Sequence, residues 1–161
     1  MNTKAYNPKK SIKRATLKKS GRANWEIVTS SGKVSWANNM EKVAIIRKGL
    51  PFDVVETLGQ KANLPTKTVL SYLGLAQTTY NKKKRENDLL SRRESEIVLV
   101  LSELLDFGLE VFNNEAEKFQ RWLKKPNMSI GNITPESLFD SLSGIQEVRN
   151  ALNRLEYGNM A

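Results

Sequence analysis

The sequence predicts an all-α protein, on three observations. Residues of N-cap type stand three places before Glu or Gln at the head of successive apolar runs, and Pro and Gly mark where those runs start and stop. The segment 91–112 keeps apolar residues at helical spacing for more than five turns.

The elements follow in order. Met1 to Arg22 holds Lys4, Lys9, Lys10, Lys13, Arg14, Lys18, Lys19 and Arg22 without an apolar period, and reads as a mobile basic tail; an organelle leader shares that acid-poor composition. Trp25, Ile27, Val34 and Trp36 flank a Ser31-Gly32 step, the pattern of a short hairpin or of irregular chain whose two indoles pack onto the body. Asn38 with Glu41 opens a helix over 39–48, which Gly49 closes. Pro51 opens 51–61, because proline at a first helical position gives up a donor that had no partner. Helices over 66–73 and 77–86 are divided at Gly74. Ser91 with Glu94 opens 91–112, Asn114 with Glu117 opens 115–124, Thr134-Pro135 opens 135–141, and Ser143 with Gln146 opens 144–157, which stops at Gly158.

Within 91–112, Glu96, Glu103, Asp106 and Glu110 with Ser102 form one narrow stripe, read as solvated. Ile97, Val98, Val100, Leu101, Leu104, Leu105, Leu109, Val111 and Phe112 fill nearly everything else. A surface helix buries one face. This helix is therefore expected to be a spine, packed between the N-terminal helices and either the C-terminal helices or a second copy of the chain.

Composition narrows the function. The 161 residues amount to one ordinary domain or two small ones, and 39% hydrophobic with 27% charged side chains excludes disorder over the whole length. Cysteine and histidine are both missing from the sequence. Disulfides, thiol nucleophiles, thiolate or imidazole metal sites and the commonest general base are thereby excluded. No catalytic residue, metal site or cofactor is expected, and the chain does not read as an enzyme. No apolar run of about 18 residues exists, so the expectation is a cytoplasmic protein with no membrane contact.

Charge is divided along the chain. Residues 1–37 carry a net charge of +8, 38–90 of +4 and 91–161 of −3. The front suits a polyanion and the rear suits protein, which divides the chain into a basic arm over 1–37, a second unit over 38–90 and a third over 91–161.

Thr66 to Arg85 reads as helix, tight turn, helix. Val69, Leu70 and Leu73 form an apolar stripe, Gly74-Leu75-Ala76 supplies the turn, and Leu75 and Tyr80 pack the second helix across the first. From the second helix, Gln77, Thr78 and Asn81 project within about one turn and suit base edges, while Lys82, Lys83, Lys84 and Arg85 suit phosphates. A structural hairpin with a solvated lysine run shares this pattern; the basic front end favours DNA.

The rear carries a spaced pattern: Phe112-Asn113-Asn114, Ala116, Phe119, Trp122-Leu123, Pro126-Asn127, Gly131, Pro135, Leu138, Ser143-Gly144, Val148, Leu152, Arg154, Tyr157-Gly158 and Ala161. It resembles the toxin-binding domain of the Xre/MbcA/ParS antitoxin family. The likeness is detailed over residues 90–161 and looser over 38–90, where Leu73-Gly74, Thr79-Tyr80 and Leu90-Ser91 resemble landmarks of the family's Xre-like helix-turn-helix domain. Asn113 stands where the family commonly has glycine, and either residue tolerates a left-handed backbone. Lysines replace the paired arginines common in the recognition helix.

The resemblance implies an N-terminal Xre-like helix-turn-helix domain joined by a long central helix to a small C-terminal helical toxin-binding domain. It implies a bacterial type II antitoxin whose cognate toxin is a RES-domain protein that consumes NAD. The rear would cover the toxin's active site, while the front would bind operator DNA for autoregulation and form a homodimer within a larger toxin-antitoxin complex. Toxin-binding residues expected on this basis are Lys124, Asn127, Arg154, Glu156, Tyr157, Gly158, Asn159, Met160 and Ala161. Against these stand ordinary fraying beyond a glycine cap and a structural role for Trp122, with the loop Lys124 to Gly131 left for a partner. A stand-alone helix-turn-helix transcriptional regulator is the alternative; it leaves the patterned rear unexplained.

Overall fold

Two five-residue strands open the fold in a computed structural model that describes residues 25–158; the basic arm over 1–22 and Asn159, Met160 and Ala161 lie outside the described residues. Trp25–Thr29 (β1) and Gly32–Trp36 (β2) pair antiparallel with Trp25 opposite Trp36, and the two indoles stack with ring centres 6.4 Å apart. The Ser31-Gly32 step is thus a hairpin turn, in which the Thr29 hydroxyl donates to the Gly32 carbonyl at 2.7 Å. Alternation turns Ile27 and Trp36 into the core and leaves Val28 outside.

The remaining elements are helical: seven α-helices among the described residues, with short 3₁₀ and π turns near the end. Asn39–Lys48 (α1) begins at Asn38, whose side chain accepts from the Glu41 N–H at 3.0 Å while the Glu41 carboxylate accepts from Ala37 N at 2.7 Å. Val54–Ala62 (α2) starts three residues later than Pro51 indicates. Pro51 makes a single antiparallel bridge with Leu89, and Asp53 gives its carboxylate to Ser30 N in the hairpin turn, so the first turn of α2 has no side-chain cap. Thr66–Leu73 (α3), Gln77–Arg85 (α4) and Arg92–Val111 (α5) follow, the last opened by a complete Ser91–Glu94 capping box.

Three expected punctuation marks are displaced. Asn114 does not cap Ala116–Lys124 (α6): Asn113 and Asn114 are both left-handed, at φ 54° and 62°, and Asn114 N donates back to Leu109 O at 2.7 Å, so both residues close α5 instead. Leu142–Asn153 (α7) is capped by Ser141, whose side chain accepts from Gly144 N at 3.0 Å, because Ser141 holds the extended backbone of an N-cap and Ser143 is already inside the helix. Arg154–Gly158 then forms a wide π turn in which Gly158 has no left-handed φ, so it is not a stop of the expected kind. The 135–141 segment shortens to a 3₁₀ turn, Pro135–Leu138.

α5 is the spine. It packs against α1, α2, α6 and α7, so both of its apolar faces are covered within one chain. Its polar stripe is not solvated throughout, contrary to expectation. Glu103 is 7% exposed and accepts from Trp36 Nε1 at 2.7 Å and from Lys42 Nζ at 3.0 Å, with the Arg149 guanidinium 3.8 Å away. Those partners come from β2, α1 and α7. Ser102 accepts from Lys61 Nζ at 3.0 Å, the same lysine pairs with Asp106 at 2.7 Å, and Ser95 accepts from Leu50 N at 3.0 Å. Ser102, Glu103 and Asp106 of the stripe, with Ser95 beside it, are therefore sockets for neighbouring elements, while Glu110 is exposed; a buried charge survives where its lone pairs find donors.

Two further contacts bind front to rear. Tyr72 of α3 meets Phe139 edge-on at 5.8 Å, and burial, with Glu136 and Asp140 nearby, pushes its hydroxyl up to about 12. Gln120 of α6 donates to Ala62 O at the end of α2 at 2.8 Å. Gly108 gives the Phe119 ring its seat against α5, where any Cβ would overlap the ring.

Candidate functional site

The turn between α3 and α4 sets the geometry of the front. Gly74 takes the left-handed conformation, φ 70° and ψ 28°, and Leu75 N donates across it to Leu70 O at 2.9 Å. Leu70, Leu73 and Tyr80 are buried. The Tyr80 ring lies 6.1 Å from Phe52, and its hydroxyl donates to Glu56 at 3.1 Å. With Tyr80 anchored inward, 3.6 residues per turn directs Thr78, Asn81, Lys82 and Arg85 outward; Gln77, one turn before Asn81 at the start of the helix, is exposed with them.

The four cations at the end of α4 are not equivalent. Lys83 pairs with Asp88 and Lys84 pairs with Glu56. Those hydrogen bonds hold the Asp88 and Glu56 carboxyls below their ordinary values and lift both lysines above theirs. Tyr80 is raised as well, first by burial and then by Glu56. Lys82 and Arg85 make no ion pair among the described residues; Arg85 Nε donates to the Asn81 carbonyl at 3.3 Å. Gln77 Nε2 donates to Asn81 Oδ1 at 3.1 Å, which couples the two amides one turn apart.

At the rear, the loop after α6 folds on itself. Asn127 N donates to Ile133 O at 2.9 Å, the Asn127 side chain accepts from Ser129 N at 2.9 Å, and Gly131 follows in a left-handed turn. Asn127 therefore shapes the loop from within. The Arg154 guanidinium donates to Ser129 O at 3.2 Å, which ties the π turn to this loop. Glu156, Tyr157 and Gly158 continue from it and are exposed, Tyr157 at 69%. Lys124 is placed elsewhere: it lines an open groove with Glu56, Asn63, Leu64 and Pro65, on the side of the helix-turn-helix.

Met128, 89% exposed, lies in the loop Lys124 to Gly131 that the sequence leaves for a partner, although the sequence does not single it out; sequence reasoning misses Ile133, 41% exposed, and both stand on the loop that Asn127 and Arg154 brace. Trp122 packs on Phe112 and Phe119 at 6.0 and 6.3 Å and is structural.

A helix-turn-helix with an outward polar face, built on the same core as a helical domain that presents a braced apolar edge, defines a class of two-part regulator. Residues 41–101 match the antitoxin Xre-like helix-turn-helix domain, and residues 108–158 match the antitoxin Xre/MbcA/ParS C-terminal toxin-binding domain. Between them these matches take in more than two thirds of the chain, which belongs to the Xre/MbcA/ParS antitoxin family. An "Antitoxin Xre" of Photorhabdus laumondii is 27% identical over 71% of this chain and 78% of its own length. Another from Yersinia enterocolitica is 24% identical over 70% and 76%. A "Prs ADP-ribosylating antitoxin" of Sphingobium sp. is 26% identical over 78% and 84%. The chain is an antitoxin of a toxin-antitoxin system; its domains imply a cognate toxin and a DNA partner. No described helix is long and apolar enough to cross a membrane.

Proposed function

We propose that this chain neutralises an NAD-consuming RES-domain toxin by covering its active site, and represses the shared operon by binding operator DNA as a homodimer. The functional division falls between 38–90, which grips DNA with the arm over 1–37, and 91–161, which meets the toxin. Neutralisation is steric and electrostatic and needs no catalysis by this chain, in the cytoplasm of a bacterium. The observation that carries the reading is the braced rear edge: Met128 and Tyr157 are exposed on either side of the Arg154–Ser129 bond, within the matched toxin-binding domain. Exposed aromatic and apolar anchors beside an arginine are the composition of an interface centre. The ADP-ribosylating chemistry in the name of the Sphingobium relative supports a partner that handles ADP-ribose, the fragment released when NAD is cleaved.

Co-expression tests it. The product of the adjacent gene should arrest growth and deplete NAD, and this chain should restore both; a chain truncated after Leu155 should still bind the promoter but fail to rescue. Arrest with NAD unchanged would remove the RES assignment, and rescue by the truncated chain would remove the tail from the interface.

A further inference from the structure

We infer that Gln77 reads an adenine in the operator and that Asn81 is the positioning residue that makes this choice; the inference rests on the DNA-binding reading above. A glutamine amide has one acceptor oxygen and two N–H protons. Left free, it can turn either a donor-acceptor pair or two donors toward a base. In this helix Gln77 Nε2 spends one proton on Asn81 Oδ1. What Gln77 keeps is one N–H beside one carbonyl oxygen. That pair matches adenine, whose major-groove edge offers an N6–H donor next to the N7 acceptor. Guanine presents two acceptors, N7 and O6, and needs the second proton that Asn81 has taken.

The rest of the face agrees with this division. Tyr80 faces the core, while Lys83 and Lys84 are drawn to Asp88 and Glu56. The outward arc of Gln77, Thr78, Asn81, Lys82 and Arg85 thus starts with amides and ends with cations. Lys82 and Arg85 stand a turn further along the helix, suited to phosphates, and the Arg85 bond to the Asn81 carbonyl fixes one guanidinium beside the amide pair.

The test begins with the full-length protein selecting duplexes from a random library. An enriched half-site should contain one adenine whose preference vanishes in Gln77→Ala and broadens to admit guanine beside adenine in Asn81→Ala, because the freed second proton can then reach O6. Both variants should unfold at the parent's urea midpoint, which a purely structural role for the amide pair would shift. Replacing that adenine by 7-deazaadenine removes N7 alone and should weaken binding about ten-fold, as the loss of part of a bidentate contact. Enrichment of guanine by the parent protein at the position governed by Gln77, continued exclusion of guanine in Asn81→Ala, or indifference to 7-deazaadenine, would overturn the inference. Retention of duplexes with no preferred base at that position would also overturn it while leaving DNA binding intact. Retention of no duplex at low salt would overturn both.

Discussion

Glu103 and Glu56 are built from the same three parts and do opposite work. Each carboxylate pairs with a lysine and accepts a hydrogen bond from an aromatic side chain: Lys42 and the Trp36 indole for Glu103, Lys84 and the Tyr80 hydroxyl for Glu56. Around Glu103 the side chains are 9% and 17% exposed; around Glu56 they are 47% and 38% exposed. Burial separates the two roles. In the interior, removing one partner strands a charge and an indole N–H away from water, so the trio holds the hairpin, α1, α5 and α7 together. At the surface, water and salt replace lost partners, and the trio instead decides which cations of α4 stay unpaired.

The comparison can be broken most directly at Glu103. Glu103→Ala should cost about 3–5 kcal/mol in urea unfolding, the penalty for leaving a buried pair half empty, whereas Glu56→Ala should change stability by less than about 1 kcal/mol. Equal losses would show that burial is not the deciding variable. Gly108→Ala should cost about 1–3 kcal/mol, because the added Cβ displaces the Phe119 ring, and it should change the tryptophan fluorescence of Trp122.

Salt titrations sharpen the surface half. Lys82→Ala or Arg85→Ala should each flatten the log-log dependence of DNA affinity on salt by about 0.9, the share of one phosphate contact, and Lys84→Ala should flatten it less. Glu56→Gln should release Lys84 and strengthen DNA binding at low salt.

The smallest effect is on pH. The Glu56 carboxyl lies below its ordinary 4.5 in the folded chain, so its contribution to stability is present above pH 4.5 and is lost as pH falls below it. Solvent screening keeps that contribution under about 0.5 kcal/mol. The difference in urea midpoint between the parent and Glu56→Gln at pH 7 should therefore shrink steadily as pH is lowered past 4.5.

Element type was legible in the sequence wherever a local rule decides it. The Asn38 and Ser91 caps, the Gly49 and Gly74 stops and the extent of the long helix follow from hydrogen bonds made within a few residues. Punctuation failed where a distant group claimed the capping side chain or closed the preceding turn, as Ser30 does with Asp53 and Leu109 does with Asn114. The site divides in the same way. The outward residues of α4 follow from helical period once Tyr80 is taken as buried, but the ion pairs of Lys83 and Lys84 depend on Asp88 and on Glu56, 28 residues away. Glu103 was misread for the same reason: spacing places it in a polar stripe, and only the arrival of Trp36 and Lys42, more than 60 residues distant, makes that stripe an interior. Met128 carries too little periodic context to stand out.

The socket at Glu103 also bears on how such proteins exchange partners. A hybrid that joined the front of this chain to another rear would part Trp36 and Lys42 from Glu103 and Arg149, and Tyr72 from Phe139. On the proposed function, toxin specificity would be altered by replacing side chains on the Asn127–Ile133 loop and the Arg154–Gly158 turn, which leave that socket intact.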